Sequence, residues 1–168
     1  MRGEDGGIVG ILQNSYRVLL FQVNIFNRGK MMKVVLVSCV KTKRKYPCKA
    51  SEMYKSFWFK RAYQYALAQN PDKIFILSAK YGLLESDEVI EPYERKLSTR
   101  TTERKDWATY VIQKLSQKCN LQQDDFIILA GVAYREYLLP HISNYSIPFE
   151  KLRQGEQNSF LKKYFQNN

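Results

Sequence analysis

The stretch Val34-Val35-Leu36-Val37-Ser38-Cys39-Val40-Lys41-Thr42-Lys43 runs from four unbroken aliphatic residues directly into a polar, lysine-bearing turn. A short apolar run rich in β-branched residues suits a strand covered on both faces, as in a parallel sheet packed between helices. Open α/β sheets take their ligands in the crevice beyond the carboxyl ends of such strands, which is where Ser38, Cys39, Lys41 and Lys43 fall. The design recurs. Lys73-Ile74-Phe75-Ile76-Leu77 reads as a second buried strand and ends in Ser78-Ala79-Lys80-Tyr81-Gly82-Leu83-Leu84. Both exits set a serine and a lysine at one edge of the sheet, and Gly82 supplies the backbone freedom for a sharp turn after Tyr81.

A third buried strand, Phe126-Ile127-Ile128-Leu129-Ala130, leads to Gly131 and a short helix carrying Tyr134 and Arg135. A helix start after a strand offers free amides to an anion. Between these strands, residues 51–69 read as a helix with Tyr54, Trp58, Ala62 and Tyr65 on one face. Thr99, Thr101 and Thr102 offer caps to a second helix that runs to about Cys119 with Trp107, Val111, Leu115 and Lys118 on one face. Val89 to Tyr93 reads as an extended connector. Ser146 to Phe149 reads as a short fourth strand, and Gln154 to Phe165 as a last helix with Phe160, Leu161, Tyr164 and Phe165 inward. Strands alternating with helices predict a three-layer α/β fold with a mostly parallel sheet of about four strands.

Composition bounds the function. At 168 residues and 45% hydrophobic, the chain can bury one ordinary core. Its net charge of +11 attracts anions, nucleic acid first and nucleotides or phosphorylated metabolites second. Residues 1–31 break the pattern: they are moderately apolar but interrupted by polar residues, short of the roughly 18 uninterrupted apolar residues of a membrane span and without the form of a signal peptide. With Met31-Met32 just before the first strand, they read as an N-terminal extension to a single domain over residues 32–168. The extension holds four basic and two acidic residues, so +9 of the +11 belongs to the domain. Three cysteines and one histidine make neither a disulfide framework nor a zinc site, so reduced thiols, a cytoplasmic setting, and no metal or other cofactor are expected. The motifs GxGxxG, GxxxxGK[ST] and GxSxG are absent, which disfavours a dinucleotide dehydrogenase, a P-loop NTPase and a serine hydrolase.

The ordered set Ser38-Cys39-Val40-Lys41-Thr42-Lys43, Tyr54-Lys55-Ser56, Leu77-Ser78-Ala79-Lys80-Tyr81-Gly82-Leu83, Pro92-Tyr93, Ala130-Gly131, Tyr134-Arg135 and Gly155-Glu156-Gln157 resembles a family of uncharacterised bacterial, archaeal and phage domains. That family in turn resembles the peroxide-stress protein YaaA superfamily, whose Ser-Pro-Ala-Lys-Thr is similar to Ser38 to Thr42. The resemblance covers about residues 33 to 161. It implies DNA, a nucleotide or a modified nucleobase as partner, and it implies no settled reaction.

On the residues themselves, lysines act as phosphate clamps, as point charges steering DNA, or as neutral nucleophiles. Lys41 and Lys80 are the natural pair, each disfavouring the other's charge in a shared crevice. With Ser38 at the edge and Glu156, or second to it Glu136, as the carboxylate that activates water or shuttles a proton, they form the candidate catalytic set. Cys39, Lys43, Tyr54, Ser56, Ser78, Tyr81, Gly82, Tyr93, Gly131, Tyr134, Arg135 and Gln157 form the candidate substrate-binding set. Two readings stand: an enzyme acting on a base or N-glycosidic bond, glycosylase- or lyase-like or nucleobase-modifying, and a non-catalytic basic DNA-binding protein of stress response or of phage or mobile-element origin. If Ser38, Lys41, Ser78, Lys80 and Glu156 line one enclosed concavity, the enzyme gains; a flat basic face favours the binder.

Overall fold

The computed structural model describes residues 30–166. The expectation of an N-terminal extension therefore lies outside the described residues but for Lys30 and Met31. Among the described residues, the first aliphatic run forms β1 (Lys33–Ser38) and the second forms β3 (Lys73–Ser78). They pair in parallel with Val35 opposite Ile74 and Ser38 opposite Leu77. On the other side of β1 lies β6 (Asp125–Leu129), also parallel, with Leu36 opposite Ile128. The five-stranded sheet has the order β4-β3-β1-β6-β7, and only β4 (Gly82–Glu85) runs antiparallel. The last strand, β7 (Asn144–Ser146), begins two residues before the expected Ser146.

The side-chain alternation of β1 explains the three layers. Val35 and Val37 point to a core shared with Phe59, Ala62 and Tyr65 of α2 (Phe57–Ala68) and Leu161 of α5 (Gln154–Gln166). Val34 and Leu36 point to the opposite core, built on Ala108, Val111 and Leu115 of α3 (Thr101–Ser116). All four strand residues are fully buried. That is the burial expected of a central parallel strand covered on both faces.

Four local expectations change. The helix expected over residues 51–69 is broken into α1 (Ala50–Met53) and α2, because Tyr54 leaves the helix to form a bridge with Lys43 and Ser56 restarts it, its hydroxyl accepting the N–H of Phe59. The segment after Tyr81 is a strand, not only a loop: Gly82, at φ +75°, turns the chain back on β3. A side chain there would also meet the Tyr110 ring at 2.6 Å. Helix α3 is capped at Arg100 with no side-chain acceptor, so none of the three threonines serves; Ser98 instead accepts the Arg100 N–H. On α5, Leu161 is buried but Phe160 and Phe165 are exposed.

A separate two-stranded ribbon pairs β2 (Cys48–Lys49) with β5 (Val89–Ile90), the latter inside the expected connector. The sheet's two edges differ in polarity. At the amino end of β1, Asp72 accepts the Lys33 N–H at 2.8 Å and buried Asp124 accepts the Met32 N–H at 3.0 Å. Lys41, Lys43 and Lys80 follow the carboxyl ends of β1 and β3, whereas Lys33 and Lys73 open those strands.

Candidate functional site

The carboxyl ends of β1 and β3 adjoin, with the Cys39 N–H donating to the Leu77 carbonyl at 2.9 Å just past the strand. Ser78 is fully buried there, and its Oγ accepts the N–H groups of Lys80 at 3.2 Å and Tyr81 at 3.1 Å. The same oxygen lies 2.8 Å from the Tyr93 hydroxyl, which lies 2.9 Å from the Tyr54 hydroxyl. With two amides filling Ser78's acceptor capacity, its own proton goes to Tyr93. Tyr93 and Tyr54 then hold two protons but share one contact, and the Ser78 oxygen, the other partner of both, is already filled by the two amides, so one phenolic proton has no free acceptor among these three groups. Tyr54 is 1% exposed and Tyr93 7% exposed. A buried donor of this kind is costly to leave unmade, and a ligand oxygen or nitrogen satisfies it.

Burial holds these phenols protonated. It raises the pKa of both Tyr54 and Tyr93 well above the ordinary tyrosine value, with Cys39 nearby as a further cause. Tyr134, whose hydroxyl is 3.1 Å from the Cys39 sulfur, is raised in the same way by burial and by Cys39. Neutral phenols are hydrogen-bond donors at physiological pH, not general bases.

Two ammonium groups flank Tyr93. Lys43 Nζ sits 4.2 Å from its ring centroid and 5.8 Å from that of Tyr54. Lys80 Nζ sits 5.8 Å from the Tyr93 centroid and 4.8 Å from that of Tyr81, which meets Tyr93 edge-on at 5.4 Å. Cations over ring faces gain the quadrupole attraction and stay available to an anion. Lys41 is exposed on the turn, and its carbonyl accepts from Lys43 Nζ at 3.2 Å. The lysine that joins Lys80 at Tyr93 is therefore Lys43, because the Lys43–Tyr54 bridge turns its side chain over the rings.

The rest of the predicted set divides. Ser38 and Cys39 are buried at the end of β1, and Gly82 makes the turn that brings Lys80 and Tyr81 over Ser78. Ser56 is a helix cap. Glu156 accepts the backbone N–H of Arg153 at 2.6 Å, which caps α5 and engages the carboxylate as structure. Gln157 joins helices, accepting from the Trp58 indole at 2.9 Å and donating to the Leu152 carbonyl at 2.9 Å. Arg135 is buried and reaches Glu150 at 3.4 Å. Gly131 is exposed and caps only a four-residue helix, α4 (Val132–Arg135), too short for the dipole that an anion site at its start was expected to use.

Trp107 belongs to the site's wall and was read only as a core face. Its indole N–H donates to the Ser78 carbonyl at 2.9 Å, and its ring packs edge-on against Tyr134 at 5.4 Å. Two clefts, of about 470 and 300 Å³, open elsewhere around Pro71, Lys73 and Ser86 and around Leu83, Glu88 and Lys114; neither includes Ser78, Tyr93, Lys43 or Lys80. All three cysteines are free thiols. Among the described residues no group of three or more His, Cys, Asp or Glu could hold a metal ion, and no helix is long and apolar enough to cross a membrane.

Residues 34–163, which contain every side chain of this site, match the model of a family of unknown function, DUF6884. The chain belongs to that family. No curated protein and no solved structure matches it. The uncharacterised family expected from the sequence is thus found, and within it the Ser78–Tyr93–Tyr54 network and its two lysines are the features that chemistry can be argued from.

Proposed function

We propose that this DUF6884 chain is a nucleic-acid- or nucleotide-directed protein that recognises a phosphorylated nucleobase ligand at the carboxyl edge of its sheet. The observation that carries the reading is the convergence of Lys43 and Lys80 on Tyr93, whose buried hydroxyl network has a proton to donate. Two ammonium groups supply the charge that a phosphate neutralises, and the phenol network supplies a donor to a base or phosphate oxygen. The net charge of +11 draws such ligands in from solution. The resemblance to the YaaA superfamily points the same way, since YaaA-like proteins are associated with DNA binding.

Of the two readings, recognition has the better support. Glu156 serves as a helix cap and Lys41 faces solvent, so the carboxylate and one lysine of the expected catalytic set do not join Ser78 and Lys80. Beside the Cys39 thiol, the groups that do gather there are donors and cations, which suit the binding of anions and acceptors. Calorimetric titration with a nucleoside monophosphate, beside inorganic phosphate and the free nucleoside, tests the reading. The monophosphate should bind more tightly than either part, and Lys43→Met and Lys80→Met should each weaken it. Equal affinity for phosphate alone would remove the base from the account, and no binding of any of the three would end it. Borohydride trapping of Lys43 or Lys80 on a bound ligand would move the assignment from recognition to covalent chemistry.

A further inference from the structure

Residues 41–61 carry eight lysines and arginines against one glutamate, so this segment alone holds +7 of the chain's +11. It starts where β1 ends and doubles back on itself: Lys55 donates its N–H to the Thr42 carbonyl at 2.9 Å, and Arg44 donates its own to the Met53 carbonyl at 2.8 Å, on either side of the Lys43–Tyr54 bridge. The far end is tied by Ala50 N–H to Glu88 carbonyl at 2.8 Å and by the β2–β5 pairing. The segment is therefore a braced platform, not a loose basic loop.

Its outer surface is aromatic as well as basic. Tyr46 is 53% exposed and Phe57 59% exposed, the two most exposed large aromatic rings among the described residues. Each already carries a guanidinium: Arg44 lies 5.5 Å from the Tyr46 centroid and Arg61 3.9 Å from that of Phe57. Arg44 is fixed by its Nε donating to the Glu52 carbonyl at 2.8 Å. Lys41, Lys45, Lys49, Lys55 and Lys60 of the same segment are all exposed. Exposed rings interleaved with cations suit a partner that alternates flat π-faces with phosphates.

We infer that the platform formed by residues 41–61 binds single-stranded nucleic acid, with bases stacking on Tyr46 and Phe57 and phosphates on the surrounding lysines. A duplex hides its base faces, so it would use the charge and leave the rings idle; only an unpaired strand uses both. The inference rests on the proposed nucleic-acid reading and deepens it. Lys43 connects the two, since its backbone belongs to the platform and its ammonium sits over Tyr93, so a strand on the platform leads one nucleotide into the site.

The test is fluorescence anisotropy with a labelled short oligothymidylate, the same length of oligouridylate, and a duplex of matched length, on the full chain. Single strands should bind more tightly than the duplex, with a salt slope that falls by about 0.7 for each phosphate-contacting lysine removed, Lys45→Ala and Lys49→Ala being the test pair. Tyr46→Ala and Phe57→Ala should each weaken single-strand binding roughly tenfold or more, whereas Tyr46→Phe should keep most of it, because stacking needs the ring and not the hydroxyl. Both rings are exposed, so the variants should melt like the parent. Oligonucleotide affinity unchanged by the two ring deletions, or a duplex bound as tightly as a single strand, would overturn the inference. So would a concentration-dependent dimer that hides both rings and ignores the oligonucleotides. Mononucleotide binding that persists through any of these results leaves the site at Tyr93 intact, so the two failures are distinguishable.

Discussion

Tyr93→Phe removes one oxygen that serves two buried partners. In the parent, Ser78 Oγ–H donates to Tyr93 across 2.8 Å and Tyr93 meets Tyr54 across 2.9 Å, with Ser78 fully buried and Tyr54 1% exposed. The substitution leaves the Ser78 proton and the Tyr54 hydroxyl without that partner. One phenolic proton of the pair already lacks an acceptor in the parent, so the substitution adds one unsatisfied buried group, the Ser78 proton, at a cost of about 1–3 kcal/mol. Tyr54→Phe is different. It removes one contact, but Tyr93 keeps Ser78 as donor, so the cost should stay near 1 kcal/mol. The double variant orphans only the Ser78 proton and should cost roughly 1–2 kcal/mol less than the sum of the two singles. Urea unfolding of all four proteins, with the slope unchanged, reads these differences. Equal costs for the two single variants, or strict additivity in the double, would refute the proton assignment and with it the claim of an unpaired donor in the site.

Three further outcomes follow from other parts of the molecule. Gly82→Ala should destabilise by about 2 kcal/mol or more, since φ +75° costs an alanine about 1–2 kcal/mol and its Cβ meets the Tyr110 ring at 2.6 Å; Tyr110→Ala in the same chain should recover the steric part only, as read by thermal melts. Burial raises the Cys119 thiol from 9.0 to about 11, so the unfolded chain loses that proton first and stability should fall as pH rises from 9.0 to about 11, a fall that shrinks in Cys119→Ala when stability is followed against pH. For nucleotide binding, Lys43→Met and Lys80→Met should each cost about tenfold and the double variant less than the product, while Lys41→Met should cost little, by calorimetry.

The layers were legible because the aliphatic runs at Val34–Val37, Phe75–Leu77 and Phe126–Leu129 are buried on both faces, and an element of that kind shows in composition alone. The candidate cluster at the carboxyl edge was legible as strand exits rich in serine and lysine. What the sequence hid is the path of the backbone between them. The serine-to-lysine spacing singled out Lys41, but the residue whose side chain returns to the rings depends on the Lys43–Tyr54 bridge, a pairing between segments that no local pattern marks. The same bridge takes Tyr54 out of the helix its spacing suggested. Glu156 reads as a catalytic carboxylate because it falls in the Gly155-Glu156-Gln157 motif of the resemblance; at the third position of a helix it is equally a cap, and only the 2.6 Å bond to Arg153 decides between them. Trp107 sits at helical spacing with Val111 and Leu115, and its indole bond to Ser78 adds a contact across the sheet edge that periodicity cannot show.

A phosphorylated nucleobase ligand should dock against Tyr93 between Lys43 and Lys80. Selective isotope labelling of tyrosine rings, followed by nuclear magnetic resonance during titration with a nucleoside monophosphate, tests it at the residues concerned. The Tyr93, Tyr54 and Tyr81 signals should move together and saturate at one ligand concentration, while the exposed Tyr110 and Tyr145 on other elements stay in place. Shifts confined to Tyr110 or Tyr145, or no shift at Tyr93 while the ligand binds, would contradict it.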